Sequence, residues 1–388
     1  MNISHPKPDE TWLPNEASLE FRVFDSAQSL LPIVPAWQAL ASQCHTGYSF
    51  FCSPHWVMNW LDAFPDHRLR LVTVWRGGMM VLMAPMADCS IAGWVRQWCC
   101  ASFPEAGYGG VLVCPSEEPA ELTGLLLEFL KDQAEADILV FPSVPNGTAW
   151  LPVAPSVQTP AAGAYATMMD VRKDANVANS KSSRRNLKRK RQKLAGESEL
   201  TLEKIDHTHP LAGSIIDTMI DWKIAWLDER ALVGASVRSQ PFRVFLKNLM
   251  SDGGAMNANT PFCLALCRDG EPVTASLFLP DANILHCYFT AFDPACGEHS
   301  PGMVLIQEAL DWMRKTDWVY YDFEGFPEPY KDKLATDRVP LADHAFALSK
   351  RGSLIVQWRR VQLRQRIKAL FYKLPPSIRN VILSGVKK

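Results

Sequence analysis

PFCLALCRDGEPVTASLFLPDANILHCYFTAFDP, residues 261–294, decides the reading of this chain. Its apolar runs are rich in Leu, Phe, Val and Ala and are broken at Asp269-Gly270 and Pro280-Asp281. That pattern predicts three antiparallel strands joined by tight turns. A glycine-bearing loop, ACGEHSPG (295–302), leads into a helix over 303–315, and WVYYDF (318–323) predicts a further strand. Meander, loop, helix and strand in this order define an α+β arrangement centred on a mainly antiparallel sheet.

Upstream of it, NSKSSRRNLKRKRQKLAGE (179–197) holds eight Lys and Arg between Ser180 and Leu194 and no acid. Ser182 or Ser183 is expected to cap a helix there, with Gly196 as its C-terminal cap. Leu187 and Leu194 give it one thin apolar stripe. A strand follows at 199–205, then helices at 211–228 and 240–250. The first half alternates short strands and helices: a strand at 19–24, helices at 31–42 and 55–64, a hairpin around Arg76-Gly77-Gly78, a helix at 120–134 and a strand at 137–141. Five prolines between Pro142 and Pro160 read as a linker. The expected organisation is a flexible 1–18, domains over 19–155 and 156–350, and a basic amphipathic tail over 351–388.

With 388 residues, 47% of them hydrophobic, the chain can fill two cores. Its 40 basic and 41 acidic residues nearly cancel, yet the charge is segregated. Residues 350–388 carry eleven Lys and Arg and no acid, so the rest of the chain outside the two basic stretches is acidic. A general nucleic-acid binder would be basic over a whole domain. No run reaches the length of a membrane span, the N-terminus lacks a signal peptide's apolar stretch, and the ten cysteines contain no CxxC pair. Reduced thiols in a cytoplasmic protein are the expectation.

These elements, with these residues, resemble the GNAT (N-acetyltransferase) superfamily, and more narrowly its branch containing CelD-like proteins of cellulose and exopolysaccharide synthesis. FFCSPHWVMNWLDAF (50–64) and the hairpin are similar to that branch's N-terminal half. KSSRRNLKRKRQKL (181–194) sits where the branch carries a basic helix. CRDGEPVTASLFL (267–279), YFTAFDP (288–294) and SPGMVLIQEAL (300–310) are similar to its acyltransferase core, and DFEGFPEPYK (322–331) to its closing motif. Phe326 stands where that motif has glycine, with Gly325 before it, and the DFEG form also resembles the FemAB-like aminoacyltransferases. The resemblance implies two tandem GNAT-type halves and an acyl-CoA-dependent N- or O-acyltransferase. Its acceptor would be a polysaccharide, amino-sugar or amine precursor in envelope or exopolysaccharide synthesis. A non-catalytic accessory protein and an aminoacyl-tRNA-dependent transferase are the alternatives.

GNAT enzymes hold the coenzyme A pyrophosphate at a loop ahead of a helix, where free N–H groups and the helix dipole attract anions. That implies a cofactor site at Ser300, Gly302, Met303 and Val304, with exposed amides on the last three. Acyl transfer needs a base and help for the developing oxyanion. Asp322 and Glu324 alternate with Phe323, so an extended strand would turn both to one side. Either is a candidate base, Lys331 a charge-stabilising group, and Tyr288 a hydrogen-bond donor at the thioester. His299 reads as a solvated loop histidine. Cys52, His55, His207 and His209 lack a second ligand pair at convincing spacing, so no metal is expected.

For the basic run three readings stay open: nucleic acid, an anion-facing helix beside the cleft, or a solvated helix held by its two leucines. No aromatics interleave with its charges, which argues against nucleic acid, transfer RNA excepted. In the tail, apolar residues at helical spacing alternate with arginines, a pattern that suits an anionic membrane surface at the inner face of the membrane or docking on the protein itself.

Overall fold

The computed structural model describes residues 18–44, 46–89, 95–152, 156–173, 180–251, 260–325 and 328–357. The expected flexible N-terminus (all but Ser18) and most of the basic tail therefore lie outside the described residues.

Among the described residues thirteen strands form one sheet. The first six are β1 (Leu19–Phe24), β2 (Leu69–Arg76), β3 (Met79–Asp88), β4 (Gln97–Cys100), β5 (Leu112–Val113) and β6 (Ile138–Pro145). β7 (Val157–Asp170) and β8 (Leu200–Ile205) follow. The meander comprises β9 (Phe262–Arg268), β10 (Glu271–Asp281) and β11 (Ile284–Phe292), and β12 (Tyr320–Asp322) and β13 (Asp337–Ala347) close the chain. The order is β1-β2-β3-β4-β6-β13-β7-β12-β11-β10-β9-β8, with β5 paired to β3.

This order contains the same pattern twice. Four antiparallel strands, β1 to β4, run to a parallel partner, β6, and then an antiparallel sixth, β13. In the second half β8 to β11 are antiparallel, β12 is parallel to β11, and the antiparallel sixth is β7. Each parallel pair is bridged by one crossover helix, Pro119–Gln133 in the first half and Pro301–Met313 in the second. The sixth strands are exchanged, because β7 follows β6 in the chain but completes the second half, while β13 follows β12 and completes the first. β7 and β13 pair with each other and weld the halves into one sheet. The fold is thus GNAT-like: a mixed sheet of two tandem halves flanked by helices.

The meander, the hairpin and the helix capped by Ser53 occur where expected, the Ser53 hydroxyl accepting from Trp56 N–H. The proline-rich stretch is not simply a linker: Pro142 and Pro145 belong to β6 and Pro160 to β7. One face of the sheet carries a core shared by both halves, where Trp56 of helix Pro54–Ala63 meets Phe245 of helix Gln240–Met250 edge-on at 4.8 Å. On the other face, each crossover helix covers a core of its own. The sulfurs of Cys89 and Cys99 are joined between β3 and β4, their Cα atoms 6.1 Å apart, which corrects the expectation that every thiol is free. The other eight cysteines are free. The first turns of the tail, Lys350–Gln357, are helical, and Ile355 and Val356 pack beside Val95 and Ile138.

Candidate active site

β11 and β12 pair only at Ile284↔Tyr320, Leu285↔Tyr321 and His286↔Asp322. Beyond that point β11 continues to Phe292 while the other strand ends, so the two part. The register of β10 slips here, pairing Leu277 with Phe289 and Phe278 with Cys287. The extra residue is Tyr288, and such a bulge re-aims side chains locally.

At the parting, Asp322 is fully buried and accepts three hydrogen bonds: from Tyr108 Oη at 2.6 Å, His286 Nδ1 at 2.7 Å and the backbone N–H of Glu324 at 2.8 Å. The opposite nitrogen of His286 meets the Gly47 carbonyl at 2.8 Å. Both ring nitrogens thus face acceptors, an arrangement satisfied when both carry protons. Burial pushes the imidazole down, but its hydrogen bond to Asp322 and the charges of Asp322, Asp281 and Glu324 outweigh this and hold it above its ordinary value.

Glu324 is held differently. The sequence reading put it on the same strand face as Asp322; instead β12 ends at Asp322 and Glu324 adopts the left-handed region, φ 58°. That conformation is costly for a residue with a side chain, and here the Asp322 carboxylate fixes it through the Glu324 N–H. Glu324 is partly buried, and its Oε1 is fully buried with no hydrogen-bond partner. Gly107 lies against it, where an added Cβ would sit 3.1 Å from that oxygen. Burial pushes the carboxyl up to about 8, and the Asp322 charge adds to the shift.

The other expected catalytic residues flank this pair. Tyr288 donates to the Glu105 carbonyl at 2.9 Å and meets Trp56 edge-on at 5.4 Å. Lys331, in helix Pro329–Leu334, donates to the Phe323 carbonyl at 2.9 Å. The sequence reading missed His286 and Tyr108. The first sits inside an apolar strand and the second in a loop whose position no local pattern reveals.

The expected cofactor residues open the crossover helix of the second half. Ser300 is left-handed, φ 52°, and its hydroxyl receives Lys190 of the basic helix at 2.7 Å. Two of the three amides expected to be free are occupied, since Met303 N–H and Val304 N–H both donate to the Ser300 carbonyl, at 3.0 and 3.3 Å. Gly302 has no atom within 4 Å of an added Cβ, so its backbone is open to approach. The basic helix, Lys181–Ala195, is capped by Ser180 rather than Ser182 or Ser183, and buries Leu194 while Leu187 packs on the same core. It lies along the crossover helix with a groove of about 300 Å³ between them, lined by Arg184, Lys188 and Arg191 on one side and Gln307, Glu308 and Asp311 on the other. The equivalent helix start in the first half is acidic, with Glu118 as cap and Glu121 in the first turn. Of the two helix starts, the one in the second half has a cation, Lys190, bound at its cap. His299 stands beside Glu298 at 3.5 Å, and the His55 ring is bound to the Leu249 carbonyl at 3.1 Å. Among the described residues no three potential metal ligands stand together.

Residues 181–332 match the family model described as an acetyltransferase (GNAT) domain. No curated protein matches the sequence. Three solved structures share the fold over nearly all of their length. FemX is 12% identical, with 88% of this chain and 99% of that one covered and a TM-score of 0.55. The C-terminal domain of a putative lysylphosphatidylglycerol synthetase from Agrobacterium fabrum is 10% identical, with 87% and 97% covered and a TM-score of 0.54. A conserved protein of unknown function from Bacteroides thetaiotaomicron VPI-5482 is 12% identical, with 85% and 100% covered and a TM-score of 0.51. At such identities the likeness carries the fold. The domain match over residues 181–332 and the tandem topology agree on a GNAT-like fold.

Proposed function

We propose that this protein transfers an acyl group from acyl-CoA to the amino group of an amino sugar, a polysaccharide precursor or another amine, with Glu324 as general base. The observation that carries this reading is the buried, unpartnered Oε1 of Glu324, placed where β11 and β12 part. A base works best when its pKa lies near the working pH, and a carboxyl raised to about 8 is matched to the proton of an ammonium acceptor. The amine nitrogen attacks the thioester carbon, the C–S bond breaks, and coenzyme A leaves as the thiolate. Before the attack the ammonium acceptor gives one proton to Glu324, which passes it to solvent, and the second nitrogen proton goes to the departing thiolate. Asp322, spent on three hydrogen bonds, orients Glu324 rather than reacting. The coenzyme pyrophosphate is assigned to Ser300, Gly302 and Lys190, with the basic helix supplying attraction; Met303 and Val304 complete the helix turn behind it.

A second reading, an aminoacyl-tRNA donor, is favoured by the exposed cations Lys181, Arg185, Lys188 and Lys193 on the basic helix near that site. Coupling to envelope or exopolysaccharide synthesis, and peripheral attachment at the inner membrane face through the tail, belong to the same proposal. No helix among the described residues is long and apolar enough to cross a membrane.

Thiol release from acetyl-CoA and longer acyl-CoAs, measured against a panel of amino sugars and amines, tests the donor and acceptor together. Acceptor-dependent release by the wild type supports the reading. Acceptor-dependent loss of the aminoacyl ester from an aminoacyl-tRNA, with no thiol released from any acyl-CoA, selects the second one. If no donor is consumed and acyl-CoA leaves the melting temperature unchanged, the protein is an accessory without catalysis.

A further inference from the structure

The second half carries the donor loop and both carboxyls, which leaves the first half without an evident task. Three of its groups nevertheless converge on the parting of β11 and β12. The Gly47 carbonyl meets His286 at 2.8 Å, the Tyr108 hydroxyl meets Asp322 at 2.6 Å, and Gly107 packs on the Glu324 carboxyl. Gly47 has φ +78°, and a Cβ there would fall 2.5 Å from Ile284 Cδ1, so only glycine turns its carbonyl onto the imidazole at this spacing. The same loop is clamped a second time, because Ser49 Oγ and Phe50 N–H both donate to the buried Asp281 at 2.8 Å. Asp281 ends β10, and His286 lies across the turn from it on β11.

We infer that His286 and Tyr108 are positioning residues, through which the first half sets the reactive conformation of Glu324. The inference rests on the reading of Glu324 as base. The chain of contacts runs from the Gly47 carbonyl through the imidazole to Asp322, and from Asp322 Oδ1 to the Glu324 N–H that holds its left-handed backbone. Tyr108 supplies the other fixed point of the Asp322 carboxylate. With its rotation blocked on two sides, Asp322 has one orientation, and Glu324 inherits it. Satisfied buried networks of this kind specify one geometry. None of these groups reaches the donor loop, so the network acts on the chemical step and not on donor binding.

The groups facing Glu324 and His286 are Asp322 on the strand end, Asp281 on β10, Tyr288 on β11, Lys331 on the short helix after the site, and Tyr48 and Tyr108 from the first half. Of these, the imidazolium and Lys331 are the cations that favour ionised Glu324. Replacing His286 by a neutral residue removes one of them and moves the Glu324 titration to higher pH.

The experiment measures kcat, KM for acyl-CoA and the pH dependence of kcat/KM for His286→Gln and Tyr108→Phe, beside Glu324→Gln as reference. The expected result is a kcat lowered about tenfold or more in both positioning variants, with KM for acyl-CoA within about twofold of wild type. For His286→Gln the rising limb of the profile should also move to higher pH. Tyr108→Phe removes one oxygen, so it decides the matter if His286→Gln does not fold. Folded variants with wild-type kcat and an unmoved limb overturn the inference while Glu324→Gln remains impaired. If Glu324→Gln is itself fully active, the reading of the base fails instead.

Discussion

The backbone N–H of Glu324 donates to Asp322 Oδ1 at 2.8 Å, and this bond gives two neighbouring carboxyls opposite surroundings. Asp322 is saturated by donors and sealed from solvent, whereas Glu324 keeps a buried oxygen with no donor at all. An unpaired carboxyl under burial resists ionisation, which suits a residue that must take up a proton and release it.

Stability should report the strain of that arrangement. Glu324 has a folded pKa of about 8 against a usual value near 4.5, so the folded state binds the extra proton between those limits. Stability from this site is complete below about pH 4.5 and is lost as pH rises through about 8. Glu324→Gln should therefore melt above wild type at pH 8 to 9, by an amount on the order of a few kcal/mol, with the difference shrinking towards pH 5. Thermal melts of both proteins across that range check it; a constant difference would mean that Glu324 titrates normally.

Gly107 offers a probe that leaves every charge in place. An added Cβ would lie 3.1 Å from Glu324 Oε1 and 3.2 Å from Phe51 Cζ, so Gly107→Ala must displace the carboxyl by a few tenths of an ångström. Steady-state kinetics should show kcat reduced roughly tenfold, since small misplacements of a reacting group are expensive. Unaltered kcat in a folded Gly107→Ala protein would show that the carboxyl's position does not matter.

Donor binding is expected to depend on Lys190, whose ammonium lies 2.7 Å from Ser300 Oγ. Lys190→Met should raise KM for acyl-CoA about tenfold, the equivalent of about 1.4 kcal/mol, with kcat little changed. Added salt should weaken donor binding in the wild type more than in the variant. A KM indifferent to both the substitution and salt would move the phosphate site elsewhere.

The exchanged strands make a further demand. Residues 181–332, the stretch matching the acetyltransferase domain, contain β8 to β12 but neither β7 nor β13. That fragment would expose β12 as an unpaired edge in the middle of its core, an aggregation hazard. Expressed alone, it should be insoluble or lack a cooperative melt, whereas a fragment from 156 to 350 regains β7. A well-folded 181–332 monomer would show that the exchange is dispensable.

Much of the second half was legible because its signals are local. The Asp269-Gly270 turn falls between β9 and β10, with Gly270 at φ +81°, and Gly196 caps the basic helix at φ +65°. β13 was illegible for two reasons. Pro340 within it argues against a strand, and register shifts on either side of Ala342 break its alternation. Its partners, β6 and β7, are distant in sequence, so nothing nearby announces the pairing. Asp322 and Glu324 stand out in the sequence as neighbouring carboxyls, but a period-two argument assigns them one face, and the left-handed turn at Glu324 defeats that argument. His286 could have been reached by sliding β11 against β12, since the parallel register sets it opposite Asp322.

The pH dependence of kcat/KM for acyl transfer, compared between wild type and Glu324→Gln, tests the central claim most directly. The account predicts a wild-type rate that rises with pH to a midpoint near 8, and a Glu324→Gln rate lowered about 10²-fold with that limb gone. A Glu324→Gln enzyme that keeps both the rate and the limb would contradict it, and would place the base on another residue.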